Sequence, residues 1–240
     1  DEYGVREVHF EDDNLTLDTK RARRIFEGMI EKKLNLRWTT PNGVALWTLN
    51  KDLLRIMKMS GCYELCFGIE SGDERVLTEV VQKPLDLTKI KALVREAKRM
   101  GIFTFGFFIV GFPGETEVER KKTFDYPWKV GLDDASFNIA TPFPGTRLFE
   151  ICREKGYLKN VDDLFSYVYW KANIQTEQID PQALEKAVAR HTLLFRVSLM
   201  FRNPAKFVSQ YALLPFRDFR FFYSFLTNLL KKIFIPASQF

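Results

Sequence analysis

Four apolar runs in this 240-residue chain stop abruptly in residues that could do chemistry. Phe107-Phe108-Ile109-Val110 leads into Gly111-Phe112-Pro113-Gly114-Glu115-Thr116, a glycine-rich, acid-tipped turn. Glycine lets a backbone approach a ligand closely, and Thr116 with Glu119 has the spacing of a capping box that opens a helix. Two further runs end in Phe10-Glu11-Asp12-Asp13-Asn14 and Phe67-Gly68-Ile69-Glu70-Ser71-Gly72, and a fourth in Thr141-Pro142-Phe143-Pro144-Gly145-Thr146. Ligands of α/β proteins bind at the carboxyl ends of strands, so four such exits predict one shared site.

Adjacent carboxylates at Asp12 and Asp13 repel each other unless something positive arrives, a metal or a substrate amine. The competing reading is a solvated turn whose side chains bond nearby amides. Along Tyr63–Ile69 the side chains alternate, which puts Glu64, Cys66, Gly68 and Glu70 on one face. That face narrows to small residues below Glu70, leaving its carboxylate free to meet a ligand at the upper rim; alternatively Glu70 is the first acid of the next helix, held by its dipole. Cys62 and Cys66 lie in one strand without a third cysteine nearby and read as buried small hydrophobes. His9 and His191 have no metal-ligand spacing to a partner.

The elements that must position these groups repeat at the length of a βα unit. β-rich runs begin near Val5, Leu36, Tyr63, Ile102 and Ala135, and all but the last are followed by helical periodicity, which predicts a parallel sheet. Such a repeat closes into a barrel or lies open as a doubly wound sheet. No G-x-G-x-x-G follows the first strand, and polar clusters spread over several exits favour the barrel-like form. Asp18, Asn50, Thr88 and Thr116 are the expected helix caps. Pro127 is expected to kink or end its helix. The rhythm stops after Gly156, and Asp180-Pro181 opens a helix through Leu184, Val188 and Phe195.

Composition sets the outer bounds. With 46% hydrophobic and 28% charged residues, the chain is not disordered and fits one large domain, or one domain with an appendage. It has no leader pattern and three cysteines, so a disulfide framework is excluded and a reducing cytoplasm is the default. Strand-like sequence starts almost at once after Asp1, which reads as a cut through a longer protein with sequence expected upstream. Residues 190–240 carry eight Lys or Arg against one acid and ten of the 23 phenylalanines, whereas residues 1–189 carry 28 against 30. No nucleic-acid motif accompanies the charge. Phe219, Phe222, Tyr223, Leu226, Leu229, Leu230, Ile233 and Phe234 recur at helical spacing: either a membrane-interface helix or one packed on the body, but too interrupted by charge to span a bilayer.

Laid in order, Val8-His9-Phe10-Glu11-Asp12-Asp13-Asn14, Trp38-Thr39-Thr40-Pro41-Asn42-Gly43, Ser60-Gly61-Cys62, Phe67–Gly72, Lys83, Phe108–Thr116 and Pro142–Thr146 resemble a radical S-adenosylmethionine (SAM) enzyme. The likeness is to the cobalamin-associated subgroup that includes anaerobic magnesium-protoporphyrin cyclase and hopanoid methylase relatives. It covers about residues 1–158. It implies a partial six-stranded TIM-like barrel, truncated at its N-terminus, of which this chain supplies strands two to six, with residues 159–240 as a mainly helical, basic extension. In such enzymes a 4Fe-4S cluster on a C-x3-C-x2-C loop cleaves SAM reductively to a radical that abstracts hydrogen from substrate. The resemblance places Asp12 and Asp13 at the amino group of SAM, Glu70 and Ser71 near the ribose, Ile109 and Gly111 at the adenine face, and the backbone of Ala140 and Thr141 at the adenine edge. The three-cysteine loop is absent, so cluster ligands are expected upstream of Asp1 and the chain alone should not be active. An electron donor, a small-molecule substrate of lipid or tetrapyrrole type, and cobalamin are implied with it. The alternatives are a methylthiotransferase-like or other cobalamin-free radical SAM enzyme, and a cluster-free binding scaffold.

Overall fold

The computed structural model describes residues 3–12, 14–159, 167–208 and 223; Asp13 and, except for Tyr223, the expected helix over 219–234 lie outside them. Five strands alternate with helices in chain order: β1 (Glu7–His9), α1 (Thr19–Glu31), β2 (Arg37–Thr39), α2 (Lys51–Met59), β3 (Glu64–Glu70), a π-type turn (Val76–Val81), α3 (Leu87–Arg99), β4 (Phe103–Val110), α4 (Glu117–Val130), β5 (Asp134–Ile139), α5 (Arg147–Glu154), α6 (Pro181–Arg202) and α7 (Pro204–Phe207). β1 pairs with β2, and β3, β4 and β5 pair in sequence, all parallel. Parallel bridges Trp38–Cys62 and Val44–Phe67 join the two groups, so the strands form one arc in the order of the chain. The expected α/β partial barrel is present, with five of its strands.

Alternation along each strand decides what the arc buries. Leu65, Phe67 and Ile69 of β3, Phe108 and Val110 of β4, and Ala135, Phe137 and Ile139 of β5 belong to the core shared with the helices. Trp38 points the same way: its ring stacks on Phe26 of α1 at 4.8 Å, takes an edge contact from Phe10 at 5.2 Å, and donates its indole N–H to Ser60. Removing two such rings from water contributes roughly 4 kcal/mol each. The opposite face carries Glu64, Cys66, Gly68, Phe105, Phe107, Ile109, Ser136 and Asn138, which stay partly open except for Cys66.

The helices start where local chemistry lets them. Asp18 accepts from the amides of Lys20 and Arg21, Asn50 from Leu53, and Thr116 and Glu119 form a reciprocal capping box. One expected cap is corrected, and of the two outcomes expected at Pro127, a kink or an end, the second is set aside. Asp86, not Thr88, caps α3, and it takes both the amide and the hydroxyl of Thr88 as donors. Pro127 does not end α4, which runs on to Val130 before Gly131 turns left-handed at φ 79°. The proline sits in the last turn, where its missing N–H removes a single bond.

Compactness divides the chain into Asp1–Phe195 and Arg196–Phe240. Within the first unit, residues 167–195 lie against the sheet body: the amide of Ile139 donates to Tyr169, and Phe195 of α6 makes an edge contact with Trp128 at 4.8 Å. Of the second unit, the last turns of α6, α7, Val208 and Tyr223 are described.

Candidate functional site

Because all five strands run parallel, their carboxyl ends share one edge, and backbone contacts stitch the exits together. Asn42, after β2, donates its side-chain amide to Glu11 beyond β1 at 3.0 Å. Val44 bridges to Phe67, and the amide of Ala140, beyond β5, donates to Val110 at the end of β4. The exits of β3 and β4 are braced from outside. Arg75 grips Glu119 of the capping box with two guanidinium bonds of 2.5 and 2.7 Å and donates to the Gly114 carbonyl. That guanidinium holds the Glu119 carboxyl down to about 2. Lys122 reaches Asp73 at 2.7 Å, tying α4 to the same turn.

Glu70 stands at the centre of this edge. A register shift between Gly68 and Glu70 bulges β3, and Glu70 takes a left-handed φ of 68°, unusual for a residue with a side chain. Its carboxylate accepts a 2.8 Å bond from Lys83. Both groups lie over Gly68, where an added Cβ would come within 3.0 Å of Glu70 Oε1 and 3.1 Å of Lys83 Nζ. Neither reading of Glu70 as a helix acid nor as a lone rim carboxylate foresaw this pair. Lys83 follows the π-type turn, and 13 residues of sequence separate the partners.

The remaining sequence candidates fall as follows. Asp12 bonds the amide of Asn14 and pairs with Arg21 of α1 at 3.1 Å. Ser71 is fully buried, its hydroxyl shared between Thr123 of α4 and the amide of Asp73. Ile109 shares the partly open face of β4 with Phe105 and Phe107, whose rings lie 5.0 Å apart. Gly111 is buried at φ 89°. Ala140 is buried, and Thr141 bonds the Ile139 carbonyl with its hydroxyl.

Glu115 had no role in the sequence reading beyond tipping its turn. It is 0% exposed, accepts the amide of Gly111 at 2.5 Å through Oε2, and leaves Oε1 without a partner. Burial pushes its carboxyl up to about 7 against the opposing pull of Gly111 and Arg120. A glutamate directly after Pro-Gly in a strand-to-helix turn was the available signal.

The cysteines do not suit a cluster. Cys62, Cys66 and Cys152 are buried, and burial pushes their thiols up, to about 12 for Cys62 and about 11 for Cys152, so thiolate ligands are disfavoured there. Among the described residues no group of three or more His, Cys, Asp or Glu is placed to hold a metal. The rim fits an organic ligand better: a carboxylate beside an ammonium seated over Gly68, an unpartnered buried oxygen at Glu115, and an apolar strip from Phe105 to Ile109.

This parallel α/β partial barrel gathers its polar and glycine-bearing groups at the strand exits, where α/β folds bind ligands. The model of the Radical SAM superfamily matches residues 1–126, and the chain belongs to that superfamily. SAM and a 4Fe-4S cluster are the cofactors that go with it. Cytidylyl-2-hydroxyethylphosphonate methyltransferase from Streptomyces wedmorensis is 39% identical over 175 residues, 70% of this chain and 32% of that protein. The anaerobic magnesium-protoporphyrin IX monomethyl ester cyclase of Cereibacter sphaeroides is 28% identical over 187 residues, 77% of this chain and 29% of the cyclase. The chain therefore spans about a third of the length of the curated relatives it matches. In fold it is similar to the radical SAM methyltransferase TsrM from Kitasatospora setae, solved with cobalamin and a [4Fe-4S] cluster, at TM-score 0.58 and 17% identity over 67% of this chain and 33% of that one. Coproporphyrinogen III oxidase from Escherichia coli gives TM-score 0.57 and 19% identity over 81% and 41%.

Proposed function

We propose that the strand-exit rim of residues 1–158 holds SAM for a radical enzyme whose full-length protein supplies the cluster ligands. The observation that carries this reading is the Glu70–Lys83 pair seated over Gly68, on the same edge as the turn from Ile109 to Glu115. A zwitterionic amino acid joined to a ribose needs an acid, a cation and hydroxyl acceptors close together, and a purine needs an apolar wall with backbone polar groups at its edge. Glu70 and Lys83 supply the first set; Ile109, Gly111 and the backbone near Ala140 and Thr141 supply the second. Asp12, with Asp13 beside it in sequence, adds acid for the amino group once Arg21 shares or releases it. Ser71 acts on the rim through Thr123, by fixing the β3 exit against α4. When bound, the reduced cluster supplies the electron that cleaves SAM.

The reaction we infer is methyl transfer. The 39% relative over 70% of the chain is a methyltransferase, while a putative methylthiotransferase from Methanocaldococcus jannaschii aligns over 43% of the chain at 31%. Cobalamin, an external electron donor and a tetrapyrrole- or lipid-like substrate belong to the same proposal. The test is anaerobic: full-length protein, reconstituted with iron and sulfide, reduced, and incubated with SAM. Formation of 5′-deoxyadenosine or S-adenosylhomocysteine supports the reading; intact SAM with a fully loaded cluster overturns it.

A further inference from the structure

One stripe of α6 changes character along its length. Gln182, Lys186 and Arg190 are exposed at four-residue spacing, and the same side continues as Leu194, Val197 and Phe201, with Met200 beside them. The opposite side is already used: Leu184, Val188, Phe195 and Leu199 are buried. A helix that met only water on its second side would keep it polar, as the first turns of α6 do. Instead Phe201 is 77% exposed and Val197 and Met200 are more than 40% exposed, and Val208 adds a fourth open apolar group within the second unit.

Along the chain, the charge flanking this patch has one sign. No acid occurs between Glu185 and Asp218, while Arg190, Arg196, Arg202 and Lys206 do. Among the described residues no helix is long and apolar enough to cross a membrane. We propose that Arg196–Val208 docks on an anionic lipid bilayer, with Val197, Met200 and Phe201 entering the headgroup boundary and Arg202 and Lys206 near the phosphates. The proposal is independent of SAM binding, since none of these residues belongs to the strand-exit rim.

Co-flotation of the protein with vesicles tests it. Vesicles of phosphatidylcholine with phosphatidylglycerol should carry the protein, pure phosphatidylcholine should carry far less, and added salt should lower the first without raising the second. Phe201→Glu should cut the floated fraction about tenfold, and Arg202→Glu with Lys206→Glu should remove the preference for phosphatidylglycerol. Unchanged helical circular dichroism is the control; should Phe201→Glu lose it, Phe201→Ser takes its place. Equal flotation with both vesicle types, no flotation, or flotation indifferent to Phe201 overturns the proposal. So does a Phe201-dependent dimer that shows no lipid binding.

Discussion

Lys83 bonds Glu70 at 2.8 Å across the space that Gly68 leaves open on the inner face of β3. An alanine there would touch only the far ends of two flexible side chains, and Gly68 does not have a left-handed φ. Gly68→Ala is therefore expected to change stability by less than about 1 kcal/mol while displacing the pair. SAM affinity should fall about tenfold, near 1.4 kcal/mol. Thermal melts and calorimetry on the same preparation check both halves.

Gly111 combines two constraints. Its φ of 89° strains any side chain, and a Cβ would come within 2.5 Å of Leu184 Cδ2 on α6. Gly111→Ala should cost about 2–3 kcal/mol in urea unfolding. Leu184→Ala removes the clash but not the strain, and its own cavity costs about 2–5 kcal/mol. The double variant should thus be less destabilised than the sum of the singles, by about 1 kcal/mol. Strict additivity would show that Leu184 simply moves aside.

Glu115 makes stability depend on pH near neutrality. Its native carboxyl titrates near 7 rather than at the ordinary 4.5, so between those values the folded chain keeps a proton that the unfolded chain has lost. Its contribution is most favourable below about 4.5 and falls away as pH rises toward about 7, by roughly 3 kcal/mol at most. Glu115→Gln keeps an acceptor for Gly111 and abolishes the titration. It should be more stable than the parent at pH 8 and gain less at pH 5, as read from urea midpoints; a constant difference would contradict the assignment.

What could be read from the chain was what depends on near neighbours. The five strands begin within two residues of Val5, Leu36, Tyr63, Ile102 and Ala135, because a β-rich run followed by helical spacing is a local pattern. Asp18, Asn50 and Thr116 cap their helices for the same reason. Asp86 and Thr88 are both capping types two residues apart, and only the backbone path decided between them. The site was harder. Ser71 looks available in sequence, yet Thr123, 52 residues away, takes its hydroxyl. The Glu70–Lys83 contact depends on a bulge that strict alternation hides, and Arg75 meets Glu119 only because α4 packs beside the β3 exit. Membership of the radical SAM superfamily was legible from the order of the short motifs, none of which identifies it alone.

Calorimetric titration of SAM into the reconstituted full-length protein tests the central claim most directly, using Asp12→Ala, Glu70→Ala and the parent. The account predicts clear binding by the parent and losses of about tenfold or more in each variant, with melting temperatures little changed. Parent-like affinity in both variants would contradict it, because the acids of the β1 and β3 exits would then have no common guest.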